Sequence, residues 1–479
     1  MRRHILSTAL FATLAVPAVA QEPVRESPPA PGPLRPFRVP EIRETRLPNG
    51  MRVVVAERRA LPIVHARVII DAGAVHEPAE KSGLAVLTGA LLIEGGAGGM
   101  SSAVLAQRIE AIGAQIASSA SYSLASVNVT SLTSVFPEAM DLASMAVRAP
   151  MFDDREVGRV RAQAVTGYEQ AMSSAEGVAD RTFSRAIYEA SAPYSRNPSG
   201  TATTLAAITR DDVTGWHSRM FSPANTTLLF VGDISFDDAV AIARHRFGDW
   251  SVPSTGATLP PNPTRAGSGT RVILVDRPGS VQSAIYVGVP GIATPDADFF
   301  RMTVLNRVLG GGFTSRINTN LRERRGFTYG ANTILAALQN AGTFYAASSV
   351  RTSATDSALA EVMHEFRRIV EEPVPAAELQ ASLNNLVASF PASVQSVQEL
   401  AGRLQTVLIY GMPMDYYDTY RERLSAVTAA DLSTIARAKL NPQAITMVVV
   451  GDLATIEAAI RARNFGAVEV WDREGNRVR

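Results

Sequence analysis

An α+β fold of two related domains is predicted by three observations. The chain has 479 residues, enough for two or more domains of roughly 100–200 residues each with real cores. The segment Phe221-Ser-Pro-Ala-Asn-Thr-Thr-Leu-Leu-Phe-Val-Gly-Asp233 aligns without gaps on Leu440-Asn-Pro-Gln-Ala-Ile-Thr-Met-Val-Val-Val-Gly-Asp452. The same offset of 219 residues lays Ile208-Thr…Asp212-Val213 on Val427-Thr…Asp431-Leu432, as a duplication would. Between the copies, residues 251–269 are rich in Pro, Gly and Ser and read as a linker. The expected domains are therefore 41–250 and 270–470, each an antiparallel sheet packed with helices.

Composition narrows the function. With 46% hydrophobic residues and a net charge of +1, nothing favours nucleic acid or an anionic membrane surface. Cysteine is absent, which excludes disulfides, a thiol nucleophile, a Cys-zinc site and a lipoprotein anchor. Lysine occurs only at Lys81 and Lys439, so no glycine-rich turn has the lysine a P-loop needs.

The N-terminus reads as a leader. Arg2-Arg3-His4 is positive, Ile5 to Val16 is apolar but too short to span a bilayer, and Ala18-Val19-Ala20 is a small-residue cleavage site. Cleavage after Ala20 and a periplasmic location are expected, with no stable membrane span in the mature chain. Residues 21–40 are proline-rich and read as an unfolded lead-in.

From there the elements follow in order. Leu47-Pro-Asn-Gly50 is a turn before a strand at Met51 to Val55, and Val64 to Ile70 is a second strand. Lys81 to Ile93 is a helix apolar on all sides, broken by Gly95 to Gly99. Ser101 or Ser102 starts a helix reaching Ile112, and Ala114 to Ser121 and Ala125 to Leu132 are paired strands. A helical region runs from Phe136 to Tyr188, interrupted near Pro150 and Ser173. Ile208 to Val213 carries a capped helix start, and Thr226 to Val231 is a buried strand.

The densest signal is Leu309-Gly-Gly-Gly-Phe-Thr-Ser-Arg-Ile-Asn-Thr-Asn-Leu-Arg-Glu-Arg-Arg-Gly-Phe-Thr-Tyr-Gly330. Gly310 to Gly312 form a turn, Thr314 or Ser315 caps a helix, Ile317 and Leu321 share one face, and Gly326 ends the helix. Read from the residues alone, Arg322 complements a helix C-terminus, and Tyr329 packs on a strand with its hydroxyl bonded.

This run resembles the C-terminal-domain signature of the M16 (pitrilysin or insulinase) zinc peptidases, Leu-Gly-Gly-Gly-x-x-Ser-Arg-Leu followed by Leu-Arg-Glu and Gly-Leu-x-Tyr. The resemblance extends over the chain after residue 40. It implies two M16-type (LuxS/MPP-like) domains closing as a clam shell around a peptide. It also implies that Arg322 and Tyr329 bind substrate and stabilise the transition state.

The zinc half of the signature does not carry over. The family's Gly-Leu-Ala-His-Leu-x-Glu-His matches Gly83-Leu84-Ala85-Val86-Leu87-Thr88-Gly89-Ala90. Val86 and Ala90 thus stand at the two His positions and Gly89 at the Glu position. The third ligand falls near Thr166 or Gly167, with Glu169 two residues out of register, about 200° away on a helix. None of His4, His65, His76, His217, His245 and His364 has a second His three to five residues away, and His76-Glu77 reads as a surface turn. No metal site is expected in this chain. Ala117-Ser118 replaces the family's Asn-Ala on the edge strand that pairs with substrate.

The expectation is an exported non-zinc subunit, inactive alone, that lends Arg322 and Tyr329 to a zinc-bearing His-x-x-Glu-His partner in a heterodimer acting on peptides. The alternatives are a stand-alone peptide-binding pseudopeptidase and a structural core-type subunit.

Overall fold

Two six-stranded sheets carry the molecule. The computed structural model describes residues 39–253, 258–265, 267 and 269–479; the expected leader with its cut after Ala20, and most of the proline-rich lead-in, lie outside them. The first half contains β1 (Ile42–Arg46), β2 (Arg52–Glu57), β3 (Ile63–Ile70), α1 (Leu84–Glu94), α2 (Ser102–Ala111), β4 (Gln115–Ala120), β5 (Ala125–Leu132), α3 (Phe136–Arg148), α4 (Asp154–Met172), α5 (Ala175–Ile187), α6 (Ala202–Ala206), α7 (Arg210–Met220), β6 (Thr226–Gly232) and α8 (Phe236–Phe247). The second contains β7 (Arg271–Asp276), β8 (Gln282–Pro290), α9 (Phe299–Leu309), α10 (Arg316–Asn318), β9 (Ala331–Ala337), β10 (Gly342–Arg351), α11 (Thr355–Glu371), α12 (Ala376–Ser389), α13 (Val397–Ile409), α14 (Tyr420–Ser425), α15 (Ala429–Lys439), β11 (Thr446–Gly451), α16 (Leu453–Ala462) and β12 (Ala467–Trp471). No helix among the described residues is long and apolar enough to cross a membrane.

The strand orders are β1-β2-β6-β3-β5-β4 and β12-β7-β11-β8-β10-β9. Five strands of each half repeat one topology, β2-β6-β3-β5-β4 matching β7-β11-β8-β10-β9, as the 219-residue offset requires. The sixth differs, because β1 precedes β2 and runs antiparallel to it whereas β12 ends the second half and runs parallel to β7. The sheets are mixed rather than wholly antiparallel: β2 runs parallel to β6, and β7 runs parallel to both β11 and β12. The ladders of β6 with β2 and of β11 with β7 arise where a long helical excursion returns the chain to the sheet centre, which a hairpin cannot do.

The central strands are apolar at nearly every position, and the packing explains it. Val53 and Val55 face one core while Val54 and Ala56 face another. In the second sheet Val272 and Leu274 point into the local core, and Ile273 and Val275 point into the core of the first half. Both faces of these central strands are buried, so alternation is replaced by continuous hydrophobic runs, while the edge strand β4 keeps an exposed face.

What covers the outer faces is an exchange of helices. Helix α5 of the first half packs on β8 and β11, and α13 of the second half packs on β3 and β6. Phe183 on α5 meets Tyr345 at 4.8 Å and Tyr286 at 6.0 Å between ring centroids. Leu400, Leu404 and Val407 of α13 bury against Leu229 and Val231. This reciprocal apolar contact fixes the halves together.

Candidate functional site

Helix α1 occupies the place where the sequence aligns with a zinc helix. Its start is held by Glu77, whose carboxylate accepts from the backbone N–H of Gly83 at 2.9 Å and of Ala85 at 3.0 Å. Glu77 is buried, which corrects its reading as part of a surface turn: it satisfies the free N–H groups at a helix N-terminus. Burial nonetheless pushes its carboxyl up to about 7, against those two hydrogen bonds and the nearby charge of Arg196.

Val86 and Ala90 are half-buried on this helix and Gly89 is fully buried. A Cβ at Gly89 would lie 2.9 Å from Ala120 N and Ser119 C, so α1 rests directly on the backbone of β4. A longer side chain there has no space. Thr166, Gly167 and Glu169 are exposed on α4, and Glu169 lies 4.0 Å from Arg473. The interior histidines are engaged elsewhere: His65 Nδ1 bonds Thr130 Oγ1 at 2.8 Å and His217 Nε2 bonds the Val147 carbonyl at 2.8 Å. No group of three or more His, Asp or Glu side chains among the described residues is disposed to hold a metal. Val86, Gly89 and Ala90 carry no side-chain atom that can ligate a metal, and Gly89 has no room for a longer side chain, so these positions do not fit zinc.

The second half presents a different arrangement. Arg322, Tyr329, Phe313 and the turn Gly310 to Gly312 line one open groove beside Asn332 and Thr333 of β9. Gly310 is sterically required: a Cβ there would collide with the Thr333 backbone N, whereas one on Gly312 would meet only the movable end of the Arg307 side chain. After α10, residues Thr319–Arg324 wind more widely, with Arg325 N donating five residues back to Asn320 O at 3.0 Å. Such widened turns recur at functional sites, and Arg322 sits on this one. Its guanidinium lies 4.6 Å from the Phe313 ring centroid, with Nε 3.4 Å from Glu323 Oε1.

Tyr329 stands on a turn tied down by its neighbours. Thr328 Oγ1 donates to the carbonyls of Gly330 at 2.9 Å and Ser349 at 2.6 Å, and Asn318 Oδ1 accepts from Ala331 N at 3.1 Å. The Tyr329 side chain itself is 91% exposed. The reading in which it packs on a strand with a bonded hydroxyl is thereby corrected. Its backbone is fixed while its ring and hydroxyl point to solvent.

The rest of the motif is structural. Ile317 and Leu321 are fully buried. Arg316 forms a two-pronged pair with Glu378 of α12, Nε to Oε1 at 2.8 Å and Nη2 to Oε2 at 2.7 Å. Neither Phe313 nor Asn318 was singled out from sequence. Asn318 Nδ2 holds the Phe313 carbonyl at 2.6 Å, and the only hint was an aromatic residue in the variable part of the glycine signature.

Comparison with known proteins follows the same division. Residues 52–196 match the model of the insulinase family, peptidase family M16, and residues 207–386 match the model of the peptidase M16 inactive domain. An uncharacterized zinc protease of Streptomyces coelicolor is 23% identical over 87% of this chain and 91% of its own. A non-peptidase homolog of Helicobacter pylori is 20% identical over 86% of this chain and 93% of its own. The crystal structure of a peptidase M16 inactive domain from Pseudomonas fluorescens superposes with a TM-score of 0.80 at 25% identity, covering 86% of this chain and 98% of that one.

Proposed function

The chain belongs to the M16 peptidase family as a member without the zinc motif, and from that premise we propose that it is the non-zinc subunit of an exported M16-type metallopeptidase. In this role Arg322 and Tyr329 complete the active site of a His-x-x-Glu-His partner, and zinc resides in that partner. The observation that carries the reading is Tyr329, 91% exposed on a turn held on both sides by Thr328 and by the backbone of Gly330 and Ala331. Exposing a tyrosine ring forfeits hydrophobic stabilisation, so an aromatic side chain held out in this way suits a bound ligand better than a structural role.

The chemistry asked of the pair is modest. The Arg322 guanidinium holds a carbonyl of the bound peptide in place. The Tyr329 hydroxyl donates to the oxygen on which negative charge develops, a contribution of about 3 kcal/mol for one well-placed donor. Both groups act on substrate held by the partner, so the chain alone does not cleave peptides. The leader at residues 1–20 supports action in the periplasm.

Isolation of the untagged protein from its native envelope, with zinc measured per chain, tests this. The expected result is a stoichiometric M16 partner carrying all the zinc. A lone, metal-free chain that binds peptides would replace the proposal with a peptide-capturing role. A lone chain with stoichiometric zinc would overturn it.

A further inference from the structure

A second cavity, sharing no residue with the Arg322 groove, lies where α4 and α5 meet the chain around Arg265 and the turn Arg473 to Gly475. It measures about 370 Å³, within the range of small-molecule sites. Its walls carry Arg181, Arg185, Arg196, Arg265 and Arg473 against a single acid, Glu474.

The positive charge is poorly compensated. Arg181 Nη1 donates to the Gly200 carbonyl at 2.7 Å, and its guanidinium sits 4.8 Å from the Tyr168 ring centroid. Arg185 Nη1 donates to the Glu474 carbonyl at 2.6 Å. Arg265 Nε donates to the carbonyls of Arg185 at 3.1 Å and Tyr188 at 3.0 Å. Carbonyl oxygens fill hydrogen-bonding positions without supplying negative charge. Arg196 forms no hydrogen bond or ion pair through its guanidinium among the described residues, and Arg473 meets the Glu474 carboxylate at 2.8 Å and, at 4.0 Å, that of Glu169. Arg181 and Arg185 stand one turn apart on α5, a repulsive spacing for like charges.

The acids behind the wall do not restore the balance. Glu77 is turned to the α1 backbone, and burial pushes its carboxyl up, away from the charged form; Asp180, exposed on α5, and Glu169, 4.0 Å from Arg473, stand outside the cavity lining. The same burial makes Arg181 and Arg196 costly to hold charged without a counter-ion.

We propose that this arginine-lined cavity is a binding site for a small polyanion bearing carboxylate or phosphate groups. Guanidinium forks match both groups in pairs of parallel hydrogen bonds, and several forks converging on one volume select a ligand of more than one negative charge. The Tyr168 ring and Met172 give the cavity one apolar wall, which suits an organic anion.

Calorimetric titration of the full-length protein with inorganic phosphate, and separately with citrate, at constant ionic strength tests the site. Saturable binding of one equivalent is expected for at least one of them; phosphate alone would mark a phosphate site and citrate alone a carboxylate site. Arg473→Gln and Arg185→Gln, both at exposed positions, are each expected to weaken it about tenfold, as loss of one charge-assisted bond does. Arg437→Gln, remote from the cavity, leaves it unchanged. Absence of saturable heat with either anion overturns the proposal. So does wild-type affinity in Arg473→Gln, because a stabilising salt effect acts without regard to that side chain.

Discussion

The guanidinium of Arg322 lies over the ring of Phe313 at 4.6 Å from its centroid, and Phe313 is itself 64% exposed. An exposed aromatic under an exposed cation stabilises the fold little, but it restricts where the guanidinium points. Phe313→Ala is therefore expected to leave the melting temperature unchanged. In the proposed assembly with a zinc-bearing partner it should lower kcat/KM about two- to fivefold, the equivalent of one exposed cation–π contact. Thermal melts and steady-state kinetics on the reconstituted heterodimer check both halves of that statement.

Arg316 and Arg322, six residues apart in one motif, are expected to behave oppositely. Arg316 is buried and doubly bonded to Glu378, so Arg316→Ala should cost about 3 kcal/mol of stability by breaking a largely buried pair. Arg322→Ala should melt like the wild type while crippling the assembled enzyme. Tyr329→Phe should do the same, with a loss of about 10²-fold in kcat. Full activity in both Arg322→Ala and Tyr329→Phe would defeat the subunit reading, even if co-purification succeeded.

At Gly89 the direction of the effect is the test. Glycine to alanine inside a helix ordinarily stabilises by about 1 kcal/mol. Here the added Cβ would sit 2.9 Å from the backbone of β4, so Gly89→Ala is expected to destabilise. The triple change Val86→His, Gly89→Glu, Ala90→His should likewise lower the melting temperature and take up no stoichiometric zinc. Recovery of zinc and peptidase activity in that variant would show that α1 and β4 separate more easily than their packing indicates.

The sequence showed the duplication because Pro223 and Pro442, and Gly232 and Gly451, keep one spacing on the same turn and strand. It showed the Arg322 motif because closely packed glycines and a fixed helix start leave little freedom of residue type. The exchange of α5 and α13 was not legible. Amphipathic spacing says that Phe183 or Leu404 faces a core, never which half supplies that core. Glu77 escaped for a related reason: its partners are backbone N–H groups of a helix six and eight residues on, and backbone donors leave no trace in side-chain pattern. The wide turn bearing Arg322 was also invisible, since the residues of Thr319–Arg324 suit an ordinary helix equally well.

That exchange has a measurable consequence. Phe183 is 2% exposed between the two halves, and Phe183→Ala should cost about 3–5 kcal/mol. Because α5 belongs to one half and its contacts to the other, the variant is expected to lose single-step unfolding and show two separated transitions in denaturant. A single shifted transition would mean that the α13 contacts suffice to couple the halves.

The last expectation concerns acid. His65 lies buried on β3 between Thr130 and Arg67, whose Nε donates to His65 Nε2 at 3.1 Å. Arg67 in turn bonds Gln405 of α13 at 3.0 Å, so the imidazole belongs to a chain of contacts joining the two halves. Burial, reinforced by the Arg67 charge, lowers the His65 pKa to about 4, from an ordinary value near 6.5. Above pH 6.5 the ring is neutral whether the chain is folded or not, and its contribution is fully present. As the pH falls from 6.5 to 4 the unfolded chain binds a proton that the folded chain refuses, and stability declines by about 3 kcal/mol. Glu77 acts in the opposite sense between pH 4.5 and 7, where the folded carboxyl keeps a proton that the unfolded one releases. Denaturant unfolding of the wild type and of His65→Gln across this range separates the two. The stability gap between wild type and variant should shrink steadily from pH 6.5 to 4, whereas a gap independent of pH would show that His65 takes up its proton in the folded state without resistance.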